Sequence, residues 1–100
     1  MKRSESSTLV TICNRKGLHA RASAAFVRMS EKFISEITVS ADGHEVGGRS
    51  IMALMTMAAG PGSELTISAR GPDAEQAIAA LGELVRTGFG EDTEGHAVAK

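Results

Sequence analysis

Residues 16–24, with the sequence KGLHARASA, mark the point where the chain changes from a strand pattern to a helical repeat. Before this stretch, apolar and polar residues alternate, which predicts a first strand over Thr8–Cys13. After it, apolar residues recur at helical spacing, which predicts an amphipathic helix over Ala20–Lys32. His19 is therefore expected between a glycine turn and the first turn of a helix.

A hairpin and a short helix are predicted next along the chain. Ile34–Ser40 and His44–Val46 have strand patterns, and the dipeptide Asp42-Gly43 between them is a strong two-residue hairpin signal. These two strands are expected to pair antiparallel. Ser50 is the expected N-cap of the short helix that follows, because its hydroxyl can accept a hydrogen bond from an amide of the first turn.

A fourth strand and a last helix complete the predicted domain. Leu65, Ile67 and Ala69 alternate with polar residues in the strand. Asp73 is the predicted N-cap of the last helix, and Gln76 follows at capping-box spacing.

The order of predicted elements is β-α-β-β-α-β-α, which favours an α+β fold. We expect an open-faced β-sandwich, in which a four-stranded antiparallel sheet carries three helices on one face. The domain is expected to span residues 1–87. Residues 88–100 mix glycine with charge and are expected to form a flexible C-terminal tail, in which His96 has no role.

The first turn of the predicted helix at Ala20 is suited to a phosphoryl group. The first amides of a helix, here those of Ala20 and Ala22, have no intrahelical acceptor, and the helix dipole favours an anion there. Arg21 adds a guanidinium that can pair with phosphoryl oxygens in two directions. His19 offers a nucleophilic imidazole nitrogen. Taken alone, His19 is more simply a surface residue that satisfies a backbone group.

A second segment, Gly47–Met55 with the sequence GGRSIMALM, favours the functional interpretation of His19 over the simpler one. Together the two segments resemble the HPr family, the histidine phosphocarriers of the phosphoenolpyruvate-dependent phosphotransferase system. The resemblance spans about residues 7–87 and includes the Gly-Leu-His-Ala-Arg run, the Ser-Ile-Met stretch and the strand exit at Thr66–Gly71.

The resemblance implies a carrier protein and not an enzyme, with no cofactor. It implies that Enzyme I, charged by phosphoenolpyruvate, phosphorylates His19, that Arg21 stabilises the group, and that an EIIA domain accepts it. Ser50 matches the regulatory serine of the family. An HPr serine kinase/phosphorylase is a further implied partner wherever the organism has one.

The chain departs from the family at Ala22, where proline usually follows the arginine. Proline would fix the backbone of the first helical turn without loss of an intrahelical hydrogen bond. Alanine gives up that rigidity and restores one amide donor. We therefore expect a working but slightly looser site.

The short helix after Ser50 predicts a docking surface beside His19. Ile51, Met52 and Met55 lie on one side of it, and methionine side chains repack readily against partners of different shape. The resemblance extends this surface to Ala22 and Ser23. A central helix, or one covered by a loop, is the simpler alternative from the residues alone.

Composition excludes several other classes. The net charge of −1, with three Phe and neither Trp nor Tyr, argues against a nucleic-acid partner. No apolar run approaches the roughly 20 residues that a membrane span needs, and residues 1–7 lack the apolar stretch of a secretory signal. The single Cys13 indicates a reducing compartment. We expect a cytoplasmic monomer.

Three functional alternatives stay open. The carrier could serve sugar uptake or a nitrogen-related regulatory chain, and Ala22 and the extended C-terminal tail keep the second branch under consideration. A docking module whose histidine is not phosphorylated is another class. A metal site built from His19, His44 and His96 is disfavoured by their spacing, and no metal is expected.

Overall fold

The computed structural model of the protein describes residues 4–91. The elements follow the predicted order and end in a short turn. Their bounds are β1 Ser4–Thr11, α1 Ala20–Ser30, β2 Glu36–Ala41, β3 His44–Gly47, α2 Ile51–Thr56, β4 Glu64–Gly71, α3 Ala74–Arg86 and the turn Gly88–Gly90.

The four strands form one antiparallel sheet in the order β1-β4-β2-β3. Apolar side chains fill the sheet face that packs against α1, α2 and α3, with Val10, Val39 and Ile67 among those buried there. The other face carries mostly Ser, Thr and Glu residues. The predicted α+β open-faced sandwich is confirmed.

The β2–β3 hairpin forms as predicted. Asp42 and Gly43 both have positive φ, 52° and 77°, as a two-residue turn with the twist of the strands requires. The pairing places Ala41 opposite His44 and Val39 opposite Val46.

The helices bury the apolar stripes that the sequence shows. Phe26 of α1, Leu54 of α2 and Leu81 of α3 are all fully buried. Since each helix contributes at least one such side chain, the core joins all three helices to the sheet.

Three predicted boundaries shift because side chains and turns compete with regular structure. α1 ends at Ser30 and not at Lys32, and the Arg49 guanidinium donates to the carbonyls of Ser30 and Ser35 at 2.9 and 3.1 Å and also to that of Phe33. The helix ends earlier because Lys32 N and Phe33 N donate to Met29 O and Ser30 O, three residues back, at 3.1 Å each, so the last turn tightens.

β1 lies earlier than the predicted Thr8–Cys13. Its register with β4 extends back to Ser4, and Ile12 bonds instead to the turn before β4, donating to Ser63 O at 2.8 Å.

Asp73 corrects a further prediction. It occupies the N-cap position of α3, but its side chain caps nothing in that helix. The carboxylate instead accepts hydrogen bonds from the Ser35 hydroxyl at 2.6 Å and from the amides of Ile34 and Ser35 at 2.9 and 3.0 Å. These bonds, the hydroxyl's first, hold the pKa of Asp73 below its usual range. They also explain why β2 begins at Glu36 and not at Ile34.

The packed chain continues past residue 87, where the flexible tail was expected to begin. Phe89 is buried, and Glu91 bonds to His19. The rest of the predicted tail, residues 92–100 with His96, lies outside the described residues. Among the helices within 4–91, none is long and apolar enough to cross a membrane.

Candidate functional site

A tight loop after β1 delivers His19 to the start of α1. Asn14 closes this loop with its Nδ2, which donates to Gly17 O at 2.9 Å, and Gly17 N donates to Asn14 O at 3.2 Å. Gly17 has φ +65°, and a Cβ there would overlap the carbonyl oxygen of Ala59. The same carbonyl accepts Leu18 N at 2.9 Å. Glycine is therefore required both for the turn and for its contact with the segment after α2.

His19 is the N-cap residue of α1, but its ring does not cap the helix. Its carbonyl accepts Ser23 N at 2.8 Å, which starts the helical hydrogen bonds. Within residues 4–91, the amides of Ala20, Arg21 and Ala22 have no acceptor. Ala20 and Arg21 are exposed, so their two N–H groups are accessible beside the histidine, whereas Ala22 is fully buried and its amide does not face solvent.

Arg21 is exposed, and no carboxylate or carbonyl of the described chain pairs with its guanidinium. Its position in the first turn puts five N–H donors on the same helix end as the free amides. The guanidinium can bind an incoming anion without first leaving an intramolecular partner.

The His19 ring contacts Glu91, which the sequence analysis did not select. Its Nε2 lies 3.0 and 2.9 Å from the two carboxylate oxygens of Glu91. Asn14 Nδ2 donates to Glu91 Oε1 at 3.0 Å and is fully buried. The side chains of His19 and Glu91 are 25% and 19% exposed, so the pair lies at the surface with one side sheltered.

The turn after α3 carries Glu91 to this position. Gly88, Phe89 and Gly90 have φ values of 67°, 57° and 77°, which reverse the chain so that it returns toward α1. Phe89 is buried, and Glu91 N donates to Gly88 O at 2.8 Å. The sequence signal was a phenylalanine between two glycines, but it does not reveal which residue the reversal would place beside His19.

Ser50 caps α2 as predicted. Its hydroxyl accepts a hydrogen bond from Ala53 N at 3.1 Å, and its carbonyl accepts Leu54 N at 3.0 Å. The residue is exposed, at the start of a helix that packs beside α1.

The predicted docking residues separate into two groups. Ile51, Met52 and Met55 are exposed at 38%, 74% and 39%, and they form an apolar surface on α2. Ala22 and Ser23 are fully buried. The prediction that these two side chains contact a partner is wrong, because the stripe to which they belong faces the core.

The remaining histidine and the cysteine lie apart from this site. His44 is exposed in β3, and within residues 4–91 no three His, Cys, Asp or Glu side chains are grouped to hold a metal ion. The Cys13 thiol approaches the carbonyls of Val85 and Arg86 at 3.6 and 3.4 Å. It caps the end of α3, which is a structural role.

Two surface depressions lie along the sheet and its edge, and neither is lined by His19 or Arg21. The His19 side chain is 25% exposed and Arg21 is exposed, so both can be reached from the surface of the described chain.

Comparison with known proteins agrees with this geometry. The family model described as "PTS HPr component phosphorylation site" matches residues 6–87. The phosphocarrier protein HPr of Cupriavidus necator is 44% identical over 81 residues, covering 81% of this chain and 91% of the relative. That of Xylella fastidiosa is 43% identical over 84 residues, covering 84% and 94%. The crystal structure of HPr from Thermoanaerobacter tengcongensis superposes with a TM-score of 0.83 at 40% identity, covering 87% and 98%.

Proposed function

Because this chain belongs to the HPr family of the phosphotransferase system, we propose that it accepts a phosphoryl group from Enzyme I on His19 and passes it to an EIIA domain. Phosphoenolpyruvate is the source of the group. The transient phosphohistidine is the form that moves between the two partners, and the chain itself is a carrier. We place this exchange in the cytoplasm and the carrier in a monomeric state.

The proposal rests on the donor groups in the first turn of α1 that have no hydrogen-bond partner within the described residues. The accessible amides of Ala20 and Arg21 and the unpaired Arg21 guanidinium lie beside a histidine that is partly exposed. Donors fixed before the reaction stabilise the charge of a transferring phosphoryl group at little cost of reorganisation. The helix dipole acts in the same direction.

The transfer is a displacement at phosphorus. A lone pair on the His19 ring forms a new N–P bond while the bond from phosphorus to the donor atom of Enzyme I breaks and its electrons stay with the donor. The Arg21 guanidinium and the amides of Ala20 and Arg21 hold the phosphoryl oxygens; the amide of Ala22, which was expected to take part, lies in a fully buried residue. The reverse displacement, by a nucleophile of the EIIA domain, frees the ring for another cycle. The chain contributes positioning and charge stabilisation.

The apolar surface formed by Ile51, Met52 and Met55 is where we propose that Enzyme I and EIIA dock. Its side chains are exposed, and α2 packs beside α1. Phosphorylation of Ser50 would add about 1.5 to 2 negative charges at the edge of this surface. An acidic partner would then be repelled, so the modification would weaken docking without unfolding the protein.

The test is phosphoryl transfer from phosphoenolpyruvate through Enzyme I, followed by intact mass. We expect an acid-labile addition that is absent in His19→Ala and present in His44→Ala, a matched variant at an exposed histidine far along the chain. No addition to the native chain with either a sugar-type or a nitrogen-type Enzyme I would overturn the proposal and favour the docking module. Ser50→Asp should accept the group more slowly, and a native rate would argue against the regulatory role.

The branch is decided by the acceptor. A sugar-type EIIA that takes the group from phosphorylated carrier faster than a nitrogen-type EIIA would assign the chain to sugar uptake. The opposite preference would assign it to the regulatory branch. Ala22 is the residue of the sequence that favours this branch.

A further inference from the structure

We propose that Glu91 is a positioning residue for His19, which holds the imidazole as the tautomer with its hydrogen on Nε2 and so presents the Nδ1 lone pair to the phosphoryl donor. This role rests on the proposed phosphoryl transfer to His19. It adds a residue from the other end of the described chain to the site, and it gives Asn14 a function in holding the carboxylate.

The contact itself carries the first step. An ionised carboxylate only accepts hydrogen bonds, so the Nε2 that lies 2.9 Å from Glu91 Oε2 must be the protonated nitrogen of the ring. In a neutral imidazole the other nitrogen, Nδ1, then holds the free lone pair. The carboxylate therefore selects the nucleophilic atom as well as the orientation of the ring.

The second step concerns how the carboxylate is held. Asn14 is fully buried, and its Nδ2 donates both to Gly17 O at 2.9 Å and to Glu91 Oε1 at 3.0 Å. One side chain thus fixes both the loop that precedes His19 and the group that orients its ring. On the other side, the buried Phe89 anchors the turn from which Glu91 extends.

The third step is charge. When the Nδ1 lone pair forms the bond to phosphorus, the hydrogen on Nε2 stays and the ring becomes positively charged. Glu91 then faces that charge at hydrogen-bond distance. When the group moves to the next protein, the Nδ1–P electron pair returns to the ring and the charge is lost. The carboxylate therefore stabilises the phosphorylated ring more than the free ring, as an orienting carboxylate does in other histidine sites.

Two measurements on the whole chain test this role, and Glu91→Gln is the variant because it keeps the size of the side chain. The first is the ¹⁵N spectrum of the neutral His19 imidazole, which reports the tautomer without any transfer reaction. We expect the Nε2–H tautomer alone in the native chain and a mixture in Glu91→Gln. The matched control is Glu83→Gln, an exposed carboxylate on α3 whose partner is Arg86.

The second measurement is phosphorylation by Enzyme I. We expect Glu91→Gln to lower kcat about tenfold with KM within about twofold, which is the size of effect that an orienting partner typically has. Glu83→Gln should keep the native rate. In the native phosphoprotein, phosphorus–nitrogen coupling should place the group on Nδ1.

The role requires all of these results. An unchanged tautomer in Glu91→Gln, an unchanged or raised kcat, or phosphorus on Nε2 would each overturn it; a raised kcat would show that the carboxylate obstructs the site. Failure of the proposed function is distinguishable, because the native chain itself would then accept no phosphoryl group.

Discussion

The N-termini of α1 and α2 each begin after an N-cap residue, but the two N-cap side chains form different contacts. Ser50 accepts a hydrogen bond from Ala53 N, so its own hydroxyl closes the start of α2. His19 turns away to Glu91, and the first three amides of α1 are left free. The comparison shows that the first amides of a helix stay without an intramolecular acceptor when the N-cap side chain bonds to another part of the molecule.

The N-terminus of α3 gives a third arrangement. Asp73 stands at the N-cap, but its carboxylate accepts three hydrogen bonds from Ile34 and Ser35. The side chain joins the start of α3 to the segment between α1 and β2. At this helix end the cap residue serves tertiary structure, and the pKa of Asp73 is lowered by those bonds.

The largest expected effect is at the glycine that sets the α1 terminus. Gly17→Ala should lower the free energy of unfolding by about 3 kcal/mol, because it combines a strained positive φ with a clash at Ala59 O and the loss of that carbonyl's hydrogen bond. Gly43→Ala is the control, with positive φ but open space around it, and should cost about 1 kcal/mol. If urea titrations give the same loss of unfolding free energy for Gly17→Ala and Gly43→Ala, the contact with Ala59 is unimportant.

Arg21→Ala tests whether the α1 terminus is an anion site. Phosphoryl transfer to His19 should slow about a hundredfold, the usual cost of one fixed donor to developing charge. Stability should be unchanged, because Arg21 is exposed and unpaired in the described chain. Arg28→Ala, in the last turn of the same helix, is the control for lost charge. If both variants slow transfer to the same extent, the slower rate results from the change in net charge and not from the position of Arg21 at the helix N-terminus.

Ser50→Ala tests the N-terminus of α2, which the Ser50 hydroxyl caps. Loss of the cap should lower the free energy of unfolding by about 1 kcal/mol. Ser50→Asp keeps an acceptor oxygen for Ala53 N and should recover most of that loss. If Ser50→Ala and Ser50→Asp unfold at the same urea midpoint, the hydroxyl does not cap α2 in solution.

Asp73 predicts a pH dependence at the α3 terminus. Its folded pKa lies below the unfolded value of about 3.9, so the carboxylate stabilises the fold above that pH and loses its contribution as pH falls through the folded value. The stability difference between the native chain and Asp73→Asn should therefore narrow on acidification. A difference that is constant from neutral pH to strong acid would contradict the hydrogen bonds to Ile34 and Ser35.

Ala22→Pro is expected to have the smallest effect. It stiffens the first turn and removes an amide that has no intramolecular acceptor but lies in a fully buried residue, so both changes should affect transfer little. The rate should stay within about threefold of the native value. A large gain in transfer to EIIA would show that alanine impairs the native site.

Most of the fold and the centre of the site could be predicted from the sequence, since both depend on short-range patterns. Alternation and helical spacing identified the seven main elements, and Asp42-Gly43 identified the hairpin. The run from Gly17 to Arg21 placed a histidine and an arginine at a helix start. One missed boundary occurs where a distant side chain competes for backbone groups, as the Asp73 carboxylate does for the amides of Ile34 and Ser35 before β2.

The amino-acid sequence by itself determined the α+β order and the position of His19 at the start of a helix, because each follows from residues within one or two helical turns. The exposure of Ile51, Met52 and Met55 depends on how α2 packs in the folded chain. Only the tertiary structure decided that Ala22 and Ser23 are buried, that Asp73 caps nothing in α3, and that Glu91 meets His19 across 72 positions of chain. Side-chain hydrogen bonds between distant segments depend on how the helices pack on the sheet, which no local pattern encodes.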